Sequence, residues 1–164
     1  VDAQAIIQVH FAAVHETASS FYPSAILAVW SREPDETRYQ RIRETILGGE
    51  VVVIVAEDQD GIAGFGCIVP KQNELRAVYV HPRASRKGIG TQIVRKLERA
   101  AMTRKVPFLQ LDASLNAESF YRRCGYAALS RGTRRFASGE EMECVKMRKL
   151  IALPPNTALL PTRA

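Results

Sequence analysis

Val80-His81-Pro82-Arg83-Ala84-Ser85-Arg86-Lys87-Gly88-Ile89-Gly90 is the stretch on which the reading of this chain turns. It reads as a strand that ends at a proline, a basic loop, and two glycines that open a helix. The helix is predicted from Gly88 to Arg104, with Ile93, Val94, Leu97 and Ala101 at helical spacing. A glycine turn at a helix start aims several backbone N–H groups at one spot, and the helix dipole adds partial positive charge there. Such a spot binds anions, most often phosphate. Arg83, Arg86 and Lys87 add positive charge beside it. The plain alternative is a surface turn that only starts a helix.

Spacing excludes two common phosphate loops. A dinucleotide fingerprint needs a third glycine where Ile93 stands, and a nucleoside-triphosphate loop needs Gly-Lys before Ser or Thr, whereas the order here is Lys87-Gly88.

A chain of 164 residues with 46% hydrophobic content suits one domain with its own core. Its longest clean apolar run, Val51 to Ala56, is far short of the ~18 residues that span a membrane. The first residues lack the basic-then-apolar pattern of a signal peptide. Cys67, Cys124 and Cys144 are odd in number and have no metal-ligand spacing, so a reducing, cytoplasmic setting without a metal site is expected. The net charge of +6 gathers in Arg83–Lys87, Arg122–Arg123 and Arg131–Arg135. Nucleic acid, a polyanionic cofactor, or a merely solvated basic face would each account for it.

Outward from the loop, Ala3–Val14 and Asp35–Leu47 read as amphipathic helices, and Phe21–Trp30 as a further helical piece or a loop over a pocket. Val51–Glu57, Ile62–Val69 and Glu74–Val80 read as strands, the first two joined by a turn at 58–61. Pro107–Ala113 is the next strand. Asn116–Cys124 is a short helix with Asn116 as N-cap and Gly125 as its left-handed stop. Ala127–Phe136 and Glu140–Leu150 form a hairpin across Ser138-Gly139. This is an α+β layer arrangement: a central mixed, mostly antiparallel sheet flanked by helices. Residues 151–164, with three prolines from Pro154 on, are expected to be a loosely attached tail.

The chain resembles the GNAT (GCN5-related) N-acetyltransferases. Their pyrophosphate loop reads Gln/Arg-x-x-Gly-x-Gly/Ala after a strand ending in Val-x-Pro, and Ser85-Arg86-Lys87-Gly88-Ile89-Gly90 matches it apart from Ser85. Leu75 to Pro82 is similar to the family's cofactor-lining strand. Asn116 through Tyr121 to Gly125-Tyr126 is similar to its Asn-x-x-x-x-Tyr-x-x-x-Gly-Phe/Tyr helix. The resemblance covers residues 1–150, and the family's opening strand would precede Val1.

The resemblance implies a single GNAT-like domain that moves an acetyl group directly from acetyl-CoA to an amine. It implies a cofactor held by Arg86, Lys87, Gly88, Ile89, Gly90 and Thr91 at the pyrophosphate, by backbone at Val78 and Val80, and by Asn116. Val78 N–H would bond the acetyl carbonyl, a role worth about 3 kcal/mol when the donor is preorganised. Tyr121 would be the general acid for the departing thiolate, although Ala117, Phe120, Tyr121 and Cys124 share a helical face that also suits a core position. Glu74, expected on the side of Val78, would take the amine's proton through water; an exposed strand-end glutamate is the alternative. His81 reads as a strand-end residue, and Cys124 has no histidine partner for covalent catalysis.

An acyl-CoA sensor without turnover is the competing binding reading, and a nucleic-acid binder is suggested by charge alone. The acceptor amine is not legible. Its site is expected from segments 17–34 and 127–147, where Phe21, Tyr22 and Trp30 suggest an apolar wall or a core cluster. No membrane or nucleic-acid partner is expected. Exposed hairpin edges pair in such folds, so a homodimer is among the expectations.

Overall fold

β-branched and apolar runs after residue 50 form the strands their composition predicts. A computed structural model describes residues 2–151. The helices are α1 (Ala3–Ala12), α2 (Ser24–Trp30), α3 (Glu36–Leu47), α4 (Ile89–Thr103) and α5 (Glu118–Arg123). The strands are β1 (Val52–Asp58), β2 (Gly61–Val69), β3 (Glu74–Val80), β4 (Phe108–Ser114), β5 (Ala127–Arg135) and β6 (Glu141–Leu150). Asp2 and Asp35 cap α1 and α3 with their carboxylates. A wide turn at Ala13–Thr17 continues α1 toward α2.

The six strands form one sheet in the order β1-β2-β3-β4-β6-β5. Every neighbouring pair is antiparallel except β3 and β4. That parallel pair needs a long crossover, which α4 supplies. Among the described residues β3 and β4 are joined by a single ladder pair, Glu74 with Gln110. Beyond it the two strands diverge, while β4 stays paired along its other edge with β6 from Phe108 to Ser114.

Two layers of helix cover the sheet. On one face α4 buries Ile93, Val94, Leu97 and Ala101, each at most 1% exposed. Burial of each large side chain is worth about 1.5–3 kcal/mol. The helix lies directly on β2: a Cβ on Gly66 would stand 2.7 Å from Ile93 Cγ2 and 2.8 Å from the Ala77 carbonyl oxygen. Only glycine permits that approach. On the opposite face α1 and α3 pack Ile6, Val9, Ile42 and Ile46 against Phe65, Ala77 and Tyr79.

The ladder between β2 and β3 is irregular at one point. Cys67 pairs with Ala77 but Ile68 pairs with Leu75, so Arg76 is an extra residue in β3. A bulge of this kind reverses the alternation of side chains. Val78, paired with Gly66, and Leu75, paired with Ile68, therefore both face α4. Glu74 and Arg76 lie on the face of Tyr79. The expectation that Glu74 shares the side of Val78 is corrected here. Strict alternation would put the two together, and the inserted residue moves Glu74 across the sheet.

Two further corrections concern the ends of elements. Asn116 does not cap α5; Ala117 occupies the cap position and no side chain bonds the first turn. Ile151, assigned to the loose tail, is buried and donates its N–H to the Pro107 carbonyl at 3.0 Å. The rest of that tail, from residue 152, lies outside the described residues.

Candidate active site in the splay of the sheet

The divergence of β3 from β4 leaves backbone groups of β3 without a strand to bond. His81 N–H donates to the Ala63 carbonyl at 2.8 Å. N–H directions alternate along a strand, so Tyr79 N–H also points at β2. The N–H groups of Val78 and Val80 consequently point to the other edge, into the gap before β4. Val78, Val80, Ser85, Arg86, Asn116 and Phe120 line one cleft there, about 350 Å³ in volume. Val78 also lines a narrower pocket between β3 and β4 with Asp112, Ser114 and Tyr121.

The loop from Arg86 to Gly90 closes the wide end of the cleft. Arg86 (φ 63°) and Gly88 (φ 78°) both adopt the left-handed conformation. Gly88 is the helix N-cap and supplies no side-chain bond. The first helical N–H to find a backbone acceptor is that of Gln92, bonded to the Gly88 carbonyl at 3.1 Å. The N–H groups of Ile89, Gly90 and Thr91 are thus left facing outward from the helix start, with its dipole behind them. Gly90 has a separate reason to lack a side chain: a Cβ there would come within 3.2 Å of the Phe120 ring.

Not all of the expected positive charge is free. Arg86 and Lys87 are exposed and make no ion pair among the described residues. Arg83, counted with them from sequence, is instead held by Asp58 at 2.7 Å and Asp60 at 3.4 Å. The later basic clusters are also partly paired. Arg122 and Arg131 both reach Glu118, at 2.8 and 3.5 Å, and Arg135 reaches Glu141 at 3.9 Å. His81 Nδ1 accepts the Arg83 N–H at 3.2 Å and so serves the turn after β3.

α5 brings Tyr121 to the narrow pocket. Its ring is 7% exposed and packs edge-on to Phe120 and Tyr126, at 5.0 and 5.7 Å. Burial pushes its hydroxyl far above the ordinary tyrosine value, so it stays protonated. No hydrogen bond to a described residue engages that hydroxyl. Asn116, freed from capping, carries a buried amide oxygen without a hydrogen-bond partner, and the residue lines the cleft. Glu74 is held by Arg76, whose Nε and terminal nitrogen donate to one carboxylate oxygen at 3.0 and 2.7 Å. It lies at the closed end of the splay, four positions from Val78.

Some residues at this site carried no signal in the sequence. Tyr22, read as wall or core, is a tie. Its hydroxyl donates to the Glu143 carbonyl and accepts the Leu115 N–H, both at 2.7 Å, fastening the segment before α2 to β6 and to the end of β4. Tyr79 accepts the Trp30 indole N–H at 3.1 Å. Cys67 lines a cavity between α1, α3 and the sheet, and burial raises its thiol to about 11, which excludes a thiolate at neutral pH.

His10 lines the same cavity. Its Nδ1 shares a 2.7 Å hydrogen bond with the buried Ser31 hydroxyl, and its ring meets Tyr79 edge-on at 4.4 Å. Burial first, then Arg38, Arg134 and His15, lower its pKa from 6.5 to about 3. A base that weak accepts hydrogen bonds rather than protons. The unfolded chain protonates this group below about pH 6.5, the folded chain only near pH 3. Stability present at neutral pH is therefore lost as pH falls through that window. Between pH 7 and 5 the wild type is expected to lose about 2 kcal/mol more than His10→Asn. Urea unfolding of both at the two pH values measures it, and equal losses would contradict the buried neutral imidazole.

Comparison with known proteins bears on the fold and the family. A profile of the acetyltransferase (GNAT) domain family matches residues 17–151. No curated protein matches the sequence. Among solved structures, a GCN5-related N-acetyltransferase of Rhodopseudomonas palustris is similar, with a TM-score of 0.81 and 25% identity over 91% of this chain and 89% of that one. The PaiA N-acetyltransferase of Thermoplasma acidophilum, solved with coenzyme A, gives 0.68 and 18% over 91% and 92%. A phosphinothricin acetyltransferase of Sinorhizobium meliloti, solved with acetyl-CoA, gives 0.69 and 16% over 98% and 91%. With a family match over most of its length, and with that fold, the chain belongs to the GNAT acetyltransferase family.

Proposed function

We propose that this protein binds acetyl-CoA in the gap between β3 and β4 and transfers the acetyl group to an amine. One observation carries the reading: the outward-facing N–H groups of Val78 and Val80 on an unpaired strand edge, beside a glycine-opened helix start. A pantetheine arm is a chain of amides with the spacing to bond such an edge as another strand would. The orphaned amide oxygen of Asn116 offers a further acceptor along that path. At the wide end, the loop N–H groups from Ile89 to Thr91 and the charges of Arg86 and Lys87 suit a pyrophosphate.

Acetyl-CoA supplies an activated acyl carbon on a thiol leaving group. In the transfer a C–N bond forms and a C–S bond breaks, one proton leaves the amine, and another reaches the sulfur. Val78 N–H donates to the acyl oxygen. Tyr121, which lines the narrow pocket with its hydroxyl unbonded to any described residue, supplies the proton for the sulfur. Glu74, held in place by Arg76 on the face of Tyr79, receives the amine's proton at the end of a relay of several waters. Four strand residues span about 13 Å, so direct transfer is out of its reach. A sensor that only binds acyl-CoA is the less favoured reading, because it leaves the unengaged phenol in the narrow pocket without a purpose.

The experiment is calorimetric titration of coenzyme A into wild type and into Arg86→Ala/Lys87→Ala. The double variant should lose about 10-fold in affinity for coenzyme A, with a much smaller loss for a phosphate-free pantetheine, and the difference should shrink as salt rises. Equal weakening for both ligands would mean that these side chains act on the fold and not on phosphate.

A further inference from the structure

The acceptor is the part of this function that the family does not specify, and the cavity between α1, α3 and the sheet speaks to it. The inference rests on the acetyl-CoA reading above. The cavity measures about 320 Å³, the size of a small metabolite with room for water. Its walls are mostly apolar: Ile6 and Ile7 from α1, Ile42 from α3, and Phe65 from β2. It abuts the splay, because Trp30 and Tyr79 line both this cavity and the pocket that holds Val78 and Tyr121. Tyr79 follows Val78 directly in β3, so a molecule here lies next to the proposed transfer point but on the side of the sheet away from α4.

The charges on the cavity are all of one sign. Arg38, Arg76 and Arg134 line it, and no Asp or Glu does. Arg76 is neutralised by Glu74 at 2.7 Å. Arg38 bonds the Arg32 carbonyl, a neutral acceptor, and Arg134 lies against the Phe136 ring, its charged carbon 5.6 Å from the ring centre. Neither makes an ion pair among the described residues. Arg134 also lines the pocket that holds Val78 and Tyr121, beside Trp30 and Tyr79, so it stands where the cavity meets the splay. Two guanidinium groups that make no ion pair among the described residues, on the wall of a mostly apolar cavity, form a receptor for an anion attached to an apolar body.

We propose that the acceptor is a small amine carrying its own carboxylate on an apolar body, seated with the anion toward Arg38 and Arg134 and the amine toward Trp30 and Tyr79. A polycationic acceptor would meet only like charge here. A neutral aliphatic amine would leave both guanidinium groups unmatched.

The test uses acetyl-CoA, the wild-type chain and Arg134→Gln, a substitution at an exposed strand position. L-leucine, L-phenylalanine and 6-aminohexanoate are compared with their methyl esters, with spermidine and with kanamycin. At least one acid is expected to exceed its ester by about 10-fold in kcat/KM and to exceed both polycations. Arg134→Gln should raise KM for that acid while kcat holds, so that the acid-over-ester preference collapses. Binding gives an independent readout: calorimetry should detect the N-acetylated acid on wild type, more weakly on Arg134→Gln and more weakly in high salt. If coenzyme A binds but esters or polycations match every acid, the inference is overturned and the proposed function stands. If coenzyme A does not bind, both fall together.

Discussion

Tyr121→Phe is expected to slow single-turnover acetyl transfer by about 100-fold, the usual scale for loss of a general acid. The substitution keeps the ring and its edge-on contacts with Phe120 and Tyr126, and removes only a hydroxyl that no described residue bonds. Melting temperature and cofactor affinity should therefore change little. The two roles considered for this residue part company here. A tyrosine that merely fills the core would leave the rate per folded molecule intact. The measurement is a rapid-quench single turnover with saturating acetyl-CoA, at a pH where chemistry limits. An unchanged rate would remove Tyr121 from the mechanism and leave thiolate departure to water.

Gly90→Asp is expected to abolish measurable coenzyme A binding, a loss of at least about 100-fold. Two effects combine. A Cβ at this position meets the Phe120 ring at 3.2 Å, so the ring that lines the cleft must shift. The added carboxylate then sits among the N–H groups that would hold a pyrophosphate, competing for them and repelling the ligand. Gly90→Ala separates the two, because it carries the steric part alone and should bind with an intermediate loss. Gly88→Ala is a different perturbation, with nothing within 4 Å of the new Cβ but a φ of 78° to maintain. Its cost is about 1–2 kcal/mol of stability. Calorimetry with coenzyme A, alongside melting curves, distinguishes these cases; full affinity in Gly90→Asp would place the pyrophosphate elsewhere.

The fold was legible where the chain's pattern is local. The β-branched run before residue 58, the helical stripe Ile93, Val94, Leu97 and Ala101, and the glycine turn at residue 139 each declare an element without help from distant residues. What escaped depends on how elements meet. The bulge at Arg76 leaves no trace in a strand that alternates plausibly in either register, and alternation alone puts Glu74 on the wrong face. Asn116 has the residue type and position of a helix cap, and nothing local revealed that the helix starts two residues later. Arg83 looked free because its partners, Asp58 and Asp60, are more than twenty residues away in a different turn.

The candidate site divides along the same line. Its backbone parts could be read from one continuous stretch, Leu75 to Gly90, because strand, loop and helix start are consecutive there. The cavity on the opposite face could not. His10, Arg38 and Arg134 come from α1, α3 and β5, and each alone reads as an ordinary helix or surface residue. Only the sheet order brings them together.

The central claim is that the cofactor completes the sheet along the free edge of β3. Amide hydrogen exchange at Val78 and Val80, followed by NMR with and without acetyl-CoA, tests it most directly. In the free protein these two amides should exchange quickly for residues inside a sheet, while Tyr79 and His81, bonded toward β2, exchange slowly. Saturating acetyl-CoA should slow exchange at Val78 and Val80 together by about 10-fold or more, with Tyr79 and His81 little changed. Cofactor binding that leaves both amides at their free rates would contradict the account.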